Sequence, residues 1–328
     1  MLLLSKDMIK SIFSLKESID IVKNAFYLFS YGKIQIPPRT QITTIGGNGT
    51  FLCMPSYCLE EKTACVKLVN VFPENRKKNI PSINAQILVM DSETGLIQGI
   101  LDGTYVTQLR TGGATGVAIE ILATKECIKG ALIGTGGQAA TQLEAMLIAR
   151  KLKEVQVFSS NYTHAQQFSH IMAEKLVNYG ASITAVSSPD IAVHNADIVI
   201  TATTSTSPVF DSKNIKAGAI ICGIGSYKPY MQELPSSLMS CASKIYFDSR
   251  VAVLSEAGDI IIPIRNGTIS KNNLTGELGD VIGGRLIGRE NDDEIIIFKS
   301  VGISAQDLIV SKSIFNKAKK ENIGFNWE

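Results

Sequence analysis

The 328-residue chain has only three histidines, His164, His170 and His194, all within about thirty residues of one another. It has no HExxH motif and no His/Cys group with metal-ligand spacing, so no metal centre is expected. Six cysteines, Cys53, Cys58, Cys65, Cys127, Cys222 and Cys241, form no CxxC pair and read as buried free thiols in a reducing compartment. No stretch approaches the ~20 apolar residues of a membrane span. The start, MLLLSKDMIK, lacks the basic region and long apolar core of a signal peptide. A soluble, cytoplasmic protein with no membrane partner is therefore expected. An excess of one charge is lacking too. Thirty-two Lys+Arg against 30 Asp+Glu leave +2, without the basic surplus of a phosphate-backbone binder, so no nucleic-acid partner is expected.

Apolar residues make up 45% of the chain and charged ones 19%, which suits a well-packed globular protein. At ~150 residues per domain the length suggests two domains. The first third reads as two amphipathic helices, 6–13 and 15–30, capped by Ser5 and Ser14. Strand patterns follow in QITTI, TFLCMP and TACVKLVNVF, then a hairpin of 84–90 with 96–101 across a turn at 91–95. This is an antiparallel α+β region. A helix at 104–123 leads into alternating strands and helices, the strands being 130–133, 155–158, 182–186, 198–201, 219–224 and 244–247. That rhythm implies a parallel, doubly wound α/β sheet. An amphipathic helix from Ser304 closes the chain and is expected to pack back on the first domain.

The sharpest local motif is GxGxxA at 134–139, after the strand ALI and opening a helix. Gly134 permits the tight turn, Gly136 the close approach of a pyrophosphate, and Ala139 close helix–sheet packing. Dinucleotide binding follows. The next strand ends in Ser159-Ser160-Asn161 rather than in an acid that would bind both ribose hydroxyls of NAD. Hydroxyl and amide groups there tolerate a 2′-phosphate, so NADP(H) is preferred and NAD(H) is open. Nearby Lys151, Lys153 and His164 read as solvated surface residues. The first domain offers Arg39 after a double proline, Lys67 inside an apolar strand, and Arg110 inside an uncharged, small-residue segment. Singly, each reads as a surface or ion-paired residue. Together, without carboxylates nearby in sequence, they suggest an anionic ligand, such as a small carboxylate substrate.

PPRT at 37–40, MPS at 54–56, KLVNVFPEN at 67–75, LRTGGATGVA up to residue 118 and GTGGQA at 134–139 form an ordered set. GSYKPYMQELP at 225–235, GELGDVIGG at 276–284 and GRENDDEIIIFKSVG at 288–302 extend it. Along essentially its whole length the chain resembles the ornithine cyclodeaminase/mu-crystallin family. The resemblance implies a homodimer with a substrate/dimerisation domain at 1–116, completed by 300–328, and a Rossmann domain at 117–299. It implies that Arg39, Lys67 and Arg110 hold the substrate carboxylate, with Lys67 nearest the reacting nitrogen, and that Val301 touches substrate. It places Gly137 and Gln138 at the pyrophosphate, Ser159 at the adenosine ribose, and Thr203, Gly225, Ser226 and Ser300 on the cofactor. Ornithine cyclodeaminases carry an acid where this chain has Ser226, and a serine is a poor general base. GSYKP looks like the branch that reduces cyclic ketimines such as Δ1-pyrroline-2-carboxylate. Lys67 is then the expected proton donor, titrating below its solution value. The alternatives are a cyclodeaminase, an alanine-dehydrogenase-like enzyme and a non-catalytic NADP-binding protein.

Overall fold

A computed structural model describes residues 1–78 and 80–328. Contacts divide the chain into two compact units, Met1–Arg110 with Ile303–Glu328, and Thr111–Gly302. From sequence these limits are expected at 116/117 and 299/300. The first unit runs β1 (Leu2–Leu4), α1 (Lys6–Ile12), α2 (Leu15–Ser30), β2 (Ile34–Gln35), β3 (Thr40–Thr43), β4 (Thr50–Cys58), β5 (Thr63–Val71), β6 (Ile83–Asp91) and β7 (Ile97–Asp102). Helix α3 (Gly103–Leu122) begins in this unit and ends in the second. The second unit continues β8 (Lys129–Ile133), α4 (Ala139–Ala149), β9 (Glu154–Phe158), α5 (Tyr162–Lys175), β10 (Ser182–Ala185), α6 (Pro189–Val193), β11 (Ile198–Thr201) and β12 (Ile220–Gly223). It ends α7 (Ser236–Cys241), β13 (Lys244–Phe247), α8 (Arg250–Glu256), α9 (Gly258–Arg265), β14 (Gly276–Glu277), α10 (Leu278–Ile282) and β15 (Ile296–Lys299). Helix α11 (Ser304–Glu321) and β16 (Phe325–Asn326) belong to the first unit.

Both early helices start where their caps predict. Ser5 Oγ accepts from Met8 N, and Ser14 with Glu17 forms a full capping box. The first sheet has the order β16-β1-β7-β6-β5-β4-β2, with β3 on β4. The expected hairpin is β6–β7, bulged at Val89/Met90. The sheet is not purely antiparallel, because β1 pairs in parallel with β7. That three-residue strand is too short for periodicity to reveal. Alternation in TACVKLVNV sends Thr63, Cys65, Lys67 and Val69 to the covered face, where α11 packs across β4, β5 and β6. The opposite face carries Phe51 and Leu68, each 45% exposed. Helix α11 corrects the amphipathic expectation. Residues 304–311 are buried all round, and only the later turns show a polar face.

The second sheet is all parallel, in the order β10-β9-β8-β11-β12-β15-β13-β14. It has eight strands rather than the six read from sequence. The missed β15 lies between β12 and β13, and a four-residue apolar run carries no period that separates strand from helix. Strands β11, β12 and β15 are buried at every position, as expected of a parallel sheet covered on both faces. All six cysteines are free, but Cys241 is exposed and Cys53 half-buried, so burial holds for four of them. Among the described residues no helix is long and apolar enough to cross a membrane.

Candidate functional site

In the first unit, Lys67 stands on the covered face of β5, between Met54 of β4 and Ile87 of β6. Its strand neighbours on that face are Cys65 and Val69, so a lone ammonium here would be costly. Asp307, in the first turn of α11, supplies the counter-charge. Its Oδ2 lies 2.6 Å from Lys67 Nζ, and its Oδ1 accepts from Arg110 Nε at 3.1 Å. Gln306, the preceding residue, accepts from Arg110 Nη1 at 3.1 Å. Lys67, Arg110, Gln306 and Asp307 are all buried. The structure thus joins Lys67 and Arg110 as the sequence suggested. The carboxylate that pairs them lies far off in sequence, Asp307 standing 240 residues from Lys67 and 197 from Arg110 in the chain. Arg39, half-buried, is close enough for its charge to reach Lys67. Burial draws the Lys67 ammonium down to about 8. Asp307 opposes that shift, while Arg110 and Arg39 add to it. Burial pushes the neighbouring Cys65 thiol up, leaving it a neutral group.

In the second unit, Gly134 takes φ +105°, and a Cβ there would sit 2.7 Å from Ala202 O. Only glycine suits that turn. Around Gly137 a Cβ would meet nothing within 4 Å, and at Gly136 only Ala202 O at 4.0 Å, so the loop has open space before it. Gln138 occupies the N-cap position of α4 without a side-chain capping bond, and Ala139 is wholly buried against the sheet. A glycine turn, open space and a helix N-terminus without a side-chain cap together fit a pyrophosphate. Gly134 N donates to Phe158 O at 2.8 Å, which holds the end of β9 beside this loop. Ser159 and Ser160 follow there, and their hydroxyls make no hydrogen bond among the described residues. Asn161 also has a structural task. Its Oδ1 caps α5 by accepting from His164 N at 3.0 Å, which leaves only its amide NH2 for a ligand.

The loops after β11 and β12 are tied by Glu233, which the sequence reading missed. Its Oε1 accepts from Thr203 N at 2.5 Å, and its Oε2 accepts from Gly225 N at 2.6 Å and Ser226 N at 3.0 Å. The Glu233 and Leu234 amides donate to Asp259 Oδ1, and Asp259 Oδ2 pairs with Lys299 Nζ at 3.0 Å. Lys299 also donates to Gly223 O. Burial raises the Glu233 carboxyl, Asp259 raises it further, and Lys299 opposes. Ser226 is wholly buried, and its hydroxyl donates to Met231 O at 2.8 Å. Beyond β13, Asp248 accepts from the Ser300 hydroxyl at 2.7 Å and from the Val301 and Gly302 amides. Val301 packs against the core of this unit. The hydroxyls of Ser226 and Ser300 are therefore spent on the scaffold. The signal that could have found Asp248 is an acid just beyond a buried strand, and it is weak; Glu233 stands in a mixed loop that carries no such signal.

The ornithine cyclodeaminase/mu-crystallin family model matches residues 1–322. The chain is 34% identical to Δ1-pyrroline-2-carboxylate reductase of Bacillus cereus over 324 residues, covering 99% of this chain and 98% of that protein. It is 38% identical to the solved Thermococcus litoralis Δ1-pyrroline-2-carboxylate reductase in complex with NADH and L-proline. The TM-score is 0.95, and all of both chains is covered. An archaeal alanine dehydrogenase dimer with bound NAD is 31% identical at a TM-score of 0.92, over 100% of this chain and 99% of that one. The chain belongs to the ornithine cyclodeaminase/mu-crystallin family.

Proposed function

We propose that the protein is an NAD(P)H-dependent reductase of a cyclic ketimine carboxylate, Δ1-pyrroline-2-carboxylate, giving L-proline. The observation that carries this reading is the cation set of the first unit. Two buried cations, Lys67 and Arg110, share one carboxylate, so positive charge remains for one substrate carboxylate. Relatives of that name, one of them holding NADH and L-proline, support it. Arg39 and Arg110 would clamp the carboxylate. Lys67 would pass a proton from Nζ to the imine nitrogen and recover it from solvent, its lowered affinity making that exchange accessible near neutral pH. When bound, a reduced dinucleotide would supply hydride chemistry for the C=N carbon. Gly134, Gly136, Gly137, Gln138 and Ala139 would receive the pyrophosphate, and Thr203, Gly225, Ser226 and Ser300 the rest of the cofactor, Ser226 and Ser300 through their backbones.

Free hydroxyls at Ser159 and Ser160 and the absence of an acid favour NADP(H) over NAD(H). Homodimerisation fits the exposed apolar face around Phe51 and Leu68, and a relative is a dimer. Six free cysteines fit a reducing, cytoplasmic setting. The test is absorbance at 340 nm with Δ1-pyrroline-2-carboxylate and each reduced cofactor, beside ammonia release from L-ornithine. Multiple-turnover NADPH oxidation with no ammonia is expected. Ammonia from ornithine would replace the reductase reading with a cyclodeaminase.

A further inference from the structure

We propose that Asp307 is the positioning residue of the substrate-carboxylate site, fixing Lys67 and Arg110 in one arrangement and supplying the counter-charge against which Lys67 gives up its proton. This rests on the function proposed above. The geometry is that of a bridge. One carboxylate oxygen takes Lys67 at 2.6 Å and the other takes Arg110 Nε at 3.1 Å, so neither cation can turn without breaking a buried contact. Gln306, one residue earlier on α11, holds the far end of the same guanidinium. Two adjacent residues of one helix therefore orient both ends of Arg110. Asp307 also sits in the first turn of an 18-residue helix whose cap, Ile303, offers no side-chain acceptor. The helix dipole there favours an anion.

The charges that face Lys67 are few. Asp307 comes from α11, Arg110 from α3, and Arg39 from the segment before β3. Met54 and Ile87 flank it from β4 and β6 and bring none, and Cys65 beside it is neutral. Without Asp307, Lys67 and Arg110 would share one buried place with no carboxylate between them, and the charge of Arg39 reaches Lys67 as well. Lys67 would then lose its proton, because burial and like charge both disfavour the ammonium. A neutral Lys67 can accept a proton but cannot deliver one to an imine nitrogen.

The test uses the full-length protein with Asp307→Asn, an isosteric change that removes the charge. The pH profile of imine reduction should keep its shape, with its falling limb moved by about one pH unit or more to lower pH. Activity should recover in part at the acid end, where Lys67 regains its proton. The substrate KM should rise, because Arg110 loses one of its two anchors. The 13Cε signal of Lys67, assigned by its loss in Lys67→Arg, should titrate at lower pH in Asp307→Asn. That signal reads Lys67 without any turnover, so a wild type inactive on the imine would sink the reductase reading and leave this test standing. Asp307→Glu keeps the charge but shifts it, and should leave the limb in place while raising KM. It also provides the reading should Asp307→Asn not fold. A Lys67 signal and a limb unmoved in Asp307→Asn, or an unchanged KM in Asp307→Glu, would overturn the proposal.

Discussion

Glu233→Gln should weaken cofactor binding and lower stability together, by an amount the hydrogen bonds allow one to work out. The wild-type carboxylate accepts three backbone amides, from Thr203 on one oxygen and from Gly225 and Ser226 on the other. A glutamine offers one oxygen and one NH2. If the oxygen stays on Gly225 and Ser226, the NH2 meets the Thr203 N–H, donor against donor. One buried amide is then orphaned, at roughly 1–3 kcal/mol. The other two bonds lose their charge assistance, which about halves them. Partly offsetting this, a neutral side chain escapes the repulsion of Asp259 and the cost of burying a charge. A net loss of about 2 kcal/mol would shift Tm by about 4–8 °C for a unit of this size. The loops cannot absorb the change, because a Cβ on Gly225 would already lie 2.1 Å from Thr203 O. These loops carry the proposed cofactor contacts, so NADPH affinity should fall on the order of tenfold, equivalent to about 1.4 kcal/mol. Differential scanning fluorimetry reads the first effect and quenching of protein fluorescence by NADPH the second. A Tm within about 1 °C of wild type, with unchanged NADPH affinity, would refute the assigned role of Glu233.

Lys67→Met should cut imine turnover on the order of 10²–10⁴-fold while NADPH affinity, measured by calorimetry, stays as in wild type. A variant keeping half the activity would end the proton-donor role. In the wild type, reduction should be fastest below the Lys67 ionisation near 8 and should decline as pH rises through it, since the donor then lacks its proton; a rate still rising above pH 8 points to another donor. Arg110→Leu should lower kcat/KM by ~30- to 1000-fold, the loss of about 2–4 kcal/mol from a charge-assisted contact. Steady-state kinetics decide, and an unchanged value would make Arg110 purely structural. Ser159→Asp should invert the ratio of kcat/KM for NADPH over NADH, because a carboxylate repels the 2′-phosphate and accepts both ribose hydroxyls. A wild type that already prefers NADH would show that the free hydroxyls do not select the cofactor.

Local patterns made the fold largely legible. Ser5 and Ser14 cap as read, β6–β7 forms the expected hairpin, and the glycine loop opens α4. What escaped was short or distant. Strand β1 has three residues and β15 four, below the length at which a period exists. Lys67 and Arg110 were legible because a cation among apolar or small residues must be paired or functional. Asp307 was not, since its partners lie 240 and 197 residues away and a single acid in the first turn of a helix is what the dipole alone would select. The buried acids Glu233, Asp248 and Asp259 of the second unit have nearer partners, at most 54 residues away, but these are mostly backbone amides, which no residue type marks in sequence. Glu233 looks like one more charge in a polar loop until the fold brings three backbone amides to it.

At position 226, burial opposes the acid that ornithine cyclodeaminases carry there. Ser226 is fully buried, donates to Met231 O and receives a weaker contact from the Asp259 amide at 3.4 Å. Its own amide is bound to Glu233. Ser226→Asp would place an ionisable carboxyl among Glu233 and Asp259, with Lys299 as the cation of that network. An ionised carboxylate cannot donate to Met231 O, whereas a protonated one can. The introduced carboxyl should therefore have its folded-state pKa raised above the ordinary ~3.9 of an aspartate. By linkage, the folded variant then binds more protons than the unfolded chain over that interval, so its stability falls as pH rises. The deficit relative to wild type should be small near pH 5 and reach ~3–5 kcal/mol at pH 8, the cost of an unpaired buried charge. Ornithine should still yield no ammonia, because the new group is held inward by the loop rather than presented to an amine. Urea unfolding of both proteins from pH 5 to 8 measures the effect. A deficit independent of pH would mean that the introduced carboxyl ionises in water, and that Ser226 faces solvent rather than the core of the loop.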